Sequence, residues 1–217
     1  RPLIMRPTEN ENPGGQTGAG EADQVNNLWA HNATIPPEYQ AIIGQILDFL
    51  HPDGVVFKLC VIGPKATRSP LWEGYASGKK RIVAGWFRDH DKVAARAAQI
   101  QATRIHVTLN PCQKALLGRA NERLVAGVDR TKDTEISHIR NLLFDVDPLR
   151  LEGISSTDAE HEAALGMAQI IRTDLEKEGW PPPLVGDSGN GGHLTYPIDL
   201  PPGEAATALL KAVLAGL

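Results

Sequence analysis

The chain has 217 residues, 41% of them hydrophobic and 22% charged, with a formal net charge of −4. That balance describes one large globular domain or two small packed units, and excludes a strongly basic chain, so any surface for nucleic acid must be local. No run of 18 apolar residues occurs and no secretory signal opens the chain, which predicts no membrane span.

Residues 1 to about 27 are rich in Pro, Gly, Asn, Gln and Glu, with Pro13-Gly-Gly-Gln-Thr-Gly-Ala-Gly20 at the centre. They carry no apolar period, so residues 1–35 read as a flexible tail ahead of a domain over 36–217. Tyr39, Ile42, Ile43, Ile46, Leu47 and Leu50 repeat at three and four residues and predict a helix, stopped by the turn His51-Pro-Asp-Gly54. Val55 to Ile62 predicts a strand, Lys65 to Lys80 a polar connection, and Arg81 to Phe87 a second strand. Asp91 is expected to cap a helix through about Gln101, with Val93, Ala97 and Ile100 inward. Arg104 to Leu109 alternates as a third strand and ends at Asn110-Pro111. Lys114 to Val125 is read as helical and Thr131 to Ser137 as a loop.

Asn141-Leu-Leu-Phe-Asp-Val-Asp-Pro-Leu-Arg150 is an apolar run carrying two aspartates. Residues i and i+2 of a strand share a face, so Asp145 and Asp147 are expected side by side, roughly 6.5–7 Å apart at the backbone. Paired carboxylates suit hard divalent cations, Mg²⁺ or Mn²⁺, held against a triphosphate. Thr157-Asp-Ala-Glu160 matches a capping box. Ala164, Ala168, Ile171 and Leu175 then form one helix face that ends at Gly179. Pro181 to Gly186 leads into another strand, and the glycine-rich turn Gly186-Asp-Ser-Gly-Asn-Gly-Gly-His193 opens a further one through Leu200. A final helix starts at Glu204. Strand, helix and strand between 142 and 188 make a βαβ-type unit, so the fold class is mixed α/β.

The two cysteines, Cys60 and Cys112, have neither CxxC nor His-Cys spacing, which argues against a disulfide framework or structural zinc and for a reducing cytoplasm. Arg1 in place of Met, and the apolar run from Leu209 to Leu217, read as a piece of a longer protein.

Leu143-Phe-Asp-Val-Asp-Pro148, a capped helix, Gly179-Trp-Pro181 and Asp187-Ser-Gly-Asn-Gly-Gly-His-Leu194 together resemble the archaeo-eukaryotic primase superfamily. The closest likeness is to primase-polymerase modules of phages, plasmids and mobile elements, often fused to a helicase. The resemblance is best from about Ile136 to Pro202 and looser from about Val55 to Val125; Thr108-Leu-Asn-Pro111 is similar to a segment these modules carry before the first aspartate. It implies two packed units, the C-terminal one an RRM-like sheet, with the active site between them. It implies metal on Asp145 and Asp147 and nucleotide on Ser188, Gly189, Asn190 and His193. A single-stranded DNA template, nucleoside triphosphates and a helicase are the partners it implies. The family's third acidic residue has no counterpart before Leu217, because Asp199 lies inside the strand that the second motif opens. Either that carboxylate lies beyond this chain, or the polypeptide does not catalyse alone.

The chemistry fits these residues. Glycines let the main chain approach a phosphate, and their N–H groups can surround it. His193 can donate to a β- or γ-phosphate oxygen. Arg150 is a candidate template or phosphate contact, as is Asn110. Each has a plainer structural reading: a turn pair for the aspartates, a hairpin-like link for the glycines, a turn residue for Asn110. Arg68, Lys79, Lys80, Arg81 and Arg88 form either a template surface or a solvated loop. Trp72 and Trp86 are either base-stacking residues or core. His90, His106, His138 and His161 read as structural or surface residues. Two other functions compete. One is a different Asp-x-Asp enzyme, such as a haloacid-dehalogenase-type phosphatase or a nucleotide-sugar glycosyltransferase. The phosphatase pattern wants Thr or Val where Leu149 stands. The other is a non-catalytic replication module that binds nucleic acid or nucleotide.

Overall fold

The computed structural model describes residues 37–216 apart from 53, 79, 80, 129, 152 and 153. The tail expected over 1–35, and Lys79 and Lys80, lie outside the described residues. Two compact units divide the chain, one ending at Ser137 and the other starting at His138. Each packs helices on a sheet, so the fold is mixed α/β. No described helix is long and apolar enough to cross a membrane.

The first unit holds helix α1 (Pro37–Leu50), strands β1 (Phe57–Pro64), β2 (Trp72–Glu73) and β3 (Ile82–Phe87), helix α2 (His90–Gln99), and strands β4 (Ala102–Val107) and β5 (Leu124–Ala126). The sheet order is β2-β5-β3-β1-β4, with β4 at an edge. Alternation along β1 sends Phe57, Leu59 and Val61 into a core with Leu47 of α1 and Val93 of α2. The opposite sheet face carries Lys58, Cys60 and Trp86. It is partly covered by Cys112, Leu116 and Ala120 from the segment before β5.

Two local expectations are corrected. The cap of α2 is Asp89, whose carboxylate accepts from Lys92 N–H at 2.9 Å, while Asp91 lies in the first turn. A carboxylate suits both positions, so composition alone did not separate them. The helix expected over Lys114 to Val125 is a short 3₁₀ turn, Lys114–Gly118, followed by β5. The chain there is tied to β3: Trp86 N–H donates to Ala120 O at 3.2 Å and Glu122 N–H to Trp86 O at 3.0 Å. Those partners replace the i→i−4 bonds a helix needs. Trp72 and Trp86 are both buried, which places them in the core rather than on a base-stacking surface.

The second unit holds β6 (Ile139–Val146), α3 (Asp158–Lys177), β7 (Leu184–Asp187), β8 (Gly192–Leu200) and α4 (Glu204–Ala215). Its sheet order is β6-β8-β7, and both β6 and β7 run antiparallel to β8. They are therefore parallel to each other with β8 inserted between them, a split βαβ arrangement with α3 as the crossover. The capping box starts α3 as expected: Glu160 N–H donates to Thr157 Oγ1 at 3.3 Å, and Thr157 N–H to Glu160 Oε2 at 2.8 Å. Leu142, Phe144, Leu194 and Tyr196 face Ala168 and Leu175 of α3, with Leu210 and Val213 of α4 beside them. Phe144, Trp180 and Tyr196 meet edge to face, with ring centroids 5.2–6.2 Å apart. This dry layer fixes which sides of β6 and β8 remain for other work.

Candidate functional site

Leu142, Phe144 and Val146 point into the core of the second unit, so period-two alternation turns Asp145 to the other face. Asp147 lies one residue beyond the end of β6. The Asp145 side chain is 58% exposed and that of Asp147 40%. Along β8, Leu194 and Tyr196 face the core, and His193 faces away from it. Asp145 and His193 are direct cross-strand partners, and His193 Nε2 lies 3.1 Å from Asp145 Oδ1. The sheet thus brings together two residues 48 positions apart that the sequence placed in separate motifs.

Asp147 meets a cation as well. Arg150 donates to Asp147 Oδ2 at 2.8 Å, and its other terminal nitrogen donates to Ile154 O at 2.8 Å. Arg150 therefore ties the bend after the aspartates back on itself. Each carboxylate has a neighbouring nitrogen donor that divalent metal would rival.

The turn from Asp187 to Gly192 closes the site. Gly189 adopts φ +80°, a conformation side-chain-bearing residues rarely take. Gly191 is held by close approach: a Cβ there would fall 2.1 Å from Val146 O and 2.7 Å from Asp147 Oδ1. The glycine-rich turn and the end of the aspartate strand are therefore in backbone contact.

Inside the turn, Ser188 Oγ accepts from Gly191 N–H at 2.9 Å and Asn190 N–H at 3.3 Å, and donates to Gly191 O at 3.1 Å. Ser188 N–H donates to Gly191 O at 3.0 Å, and Gly189 N–H donates to Asp187 Oδ1 at 2.7 Å. The N–H groups of residues 188–191 are all spent within the turn. The Ser188 hydroxyl is likewise engaged within the turn. Asn190 Oδ1 accepts from Ser156 N–H at 3.0 Å, which fastens the turn to the segment before α3. Among the described side chains, His193 and Arg150 meet the aspartates.

Three contributors were missed by sequence reasoning. Asp187 points to the helix side, where His161 Nε2 of α3 lies 2.8 Å from its Oδ1. Ser156 meets Asn190. These residues come from separate parts of the chain, and only the packing of α3 beside β7 reveals them. His90 and His138 also find carboxylate partners, Asp48 and Asp199, so Asp199 is engaged away from the aspartate pair in this respect. Asn110 belongs to the first unit and is not among the residues that the three-stranded sheet assembles.

Among the described residues no three His, Cys, Asp or Glu side chains are grouped to hold a metal. Asp145 and Asp147 are two exposed carboxylates, and Mg²⁺ in general takes one or two carboxylates from a protein and its other ligands from water and substrate phosphates. Comparison of the chain with protein-family models, curated proteins and solved structures finds no match.

Proposed function

We propose that this chain carries the nucleotidyl-transfer site of a DNA primase-polymerase, with Asp145 and Asp147 holding Mg²⁺ or Mn²⁺ and His193 and Arg150 receiving a nucleoside triphosphate. The reading rests on one observation: Asp145 and His193, from the two motifs that resemble the primase superfamily, are paired across β6 and β8 at 3.1 Å. Bound metal would supply charge stabilisation to the attacking and leaving oxygens of an in-line displacement. The two carboxylates would hold it on the open side of the sheet. His193, released from Asp145, would donate to a phosphate oxygen, and Arg150, released from Asp147, would offer its planar fork to another. The Ser188–Gly192 turn would fix the His193 backbone against the end of β6. On this reading the split βαβ sheet corresponds to the RRM-like unit of that superfamily, the template is single-stranded DNA, and a helicase is the expected companion.

A second reading is a replication module that binds nucleic acid or nucleotide without turnover. It is favoured by the absence, among the described residues, of a third acidic side chain grouped with the pair. One experiment separates the two. Extension of a labelled primer on a single-stranded template, with Mn²⁺ or Mg²⁺ and mixed nucleotides, is expected from the parent chain and not from the folded Asp145→Ala/Asp147→Ala variant. Undiminished extension by that variant removes the assignment. Metal-dependent nucleotide binding without extension, in this chain and in a longer version of it, supports the second reading.

A further inference from the structure

The basic residues singled out in the sequence are mostly occupied. Arg81 donates to Pro64 O, Arg88 pairs with Glu122, and Arg68 lies over the Tyr75 ring. The register of the first unit's sheet gathers a different set. Cys60 pairs with His106 and Ile62 with Arg104, so both β4 residues share the face that carries Lys58 and Cys60. Arg104 and His106 are two residues apart on an edge strand, roughly 6.5–7 Å along the chain. Arg130 stands close enough to Cys60 for its charge to act on that thiol.

Arg104, His106 and Arg130 are exposed, and among the described residues none has a side-chain hydrogen bond or an ion pair. Their neighbours differ: Arg119 is paired with Glu135 and Arg123 with Glu73. Lys58 adds positive charge from beneath, only 4% exposed, with its ammonium 4.9 Å above the Trp86 ring. The face therefore combines an unpaired guanidinium and an imidazole in a line along β4 with a desolvated ammonium on the next strand. On a chain of net charge −4 this is a local excess that an anion, and a linear one best, would neutralise.

We propose that this part of the sheet face, Arg104 and His106 on β4 with Arg130 within electrostatic reach of Cys60, binds the sugar-phosphate backbone of a single nucleic-acid strand. The choice of nucleic acid over another polyanion rests on the function proposed above. Recognition is by phosphate alone, because Trp86, the one aromatic side chain β1, β3 and β4 place on this face, is buried.

The test is fluorescence anisotropy of a labelled oligothymidylate with the full chain at several salt concentrations. The Arg104→Ala/Arg130→Ala variant is expected to bind roughly tenfold more weakly, and its log K against log salt slope to fall by about 0.7 for each cation removed. A homopolymer of another base should show the same loss. Unchanged affinity and slope in a variant that unfolds like the parent would overturn the proposal. So would equal competition by polyglutamate of matched charge, which would mark an acidic protein as the partner. Metal-dependent triphosphate binding, measured on the same samples, keeps the two readings apart. Its loss in Asp145→Ala/Asp147→Ala with oligothymidylate binding intact bears on the catalytic site alone. Its retention in Arg104→Ala/Arg130→Ala is expected here.

Discussion

His193 Nε2 lies 3.1 Å from Asp145 Oδ1, across a direct pairing of the two residues on β8 and β6. The contact leaves the ring 39% exposed, so it can turn to a ligand without unfolding the strand. His193→Ala is expected to weaken metal-dependent triphosphate binding by about tenfold or more, the worth of a hydrogen bond to a charged group. Binding of single-stranded DNA is expected to change little. Titration with a fluorescent triphosphate and with a labelled oligonucleotide checks both, and equal losses would argue against a phosphate role for this ring.

Gly191 touches the aspartate strand through its missing side chain. A Cβ at 191 would lie 2.1 Å from Val146 O, which is backbone and cannot swing aside. Gly191→Ala is therefore expected to cost about 1–3 kcal/mol in urea denaturation. It should also weaken triphosphate binding, because the shifted turn carries His193 with it. Parent-like stability in this variant would mean that the turn and β6 are not in contact.

Much of the second unit was legible because its cues are local. Leu142, Phe144 and Asp145 already show which side of β6 is dry, and Thr157 with Glu160 marks the start of α3 before any tertiary contact exists. The pairing of Asp145 with His193 was not legible, because it depends on the register of β6 against β8, and a one-residue slip would point one of them into the core. Asp187 and His161 escaped for a related reason: a helix and a strand must pack before the two meet. Lys114 to Val125 reads as a helix, yet the main chain of residues 120–122 bonds to Trp86 instead, a partner that lies far away in sequence. The basic face on β4 needed both the register and the list of cations already paired elsewhere.

Asp187 holds the turn from the helix side. Its Oδ1 accepts from Gly189 N–H at 2.7 Å and lies 2.8 Å from His161 Nε2, with the carboxylate almost fully buried. Asp187→Ala would strand both donors and is expected to destabilise the protein by about 1–3 kcal/mol. The loosened turn should raise the triphosphate Kd as well. Asp187→Asn keeps an oxygen that can accept from Gly189 N–H and is expected to restore much of the binding. If Asn does no better than Ala, the carboxylate contact with His161 rather than the turn is what Asp187 serves.

His51 makes the first unit acid-sensitive. Its ring is buried and stacked on Phe57, with centroids 4.5 Å apart and planes 5° from parallel. Burial pushes its pKa down to about 4 from 6.5; the Thr108 backbone opposes the shift and the nearby His90 adds to it. The folded state therefore holds the ring neutral in a range where the unfolded chain takes up a proton. The stability this contributes is fully present above pH 6.5 and is lost as pH falls from 6.5 towards 4. At about 1.4 kcal/mol per pH unit the loss reaches about 3 kcal/mol. His51→Phe keeps an aromatic ring on Phe57 but cannot be protonated. Urea denaturation at pH 7.5 and 4.5 should show a smaller acid loss in that variant than in the parent by about this amount. The same loss in both would mean that His51 does not govern the transition and that other groups carry the acid sensitivity.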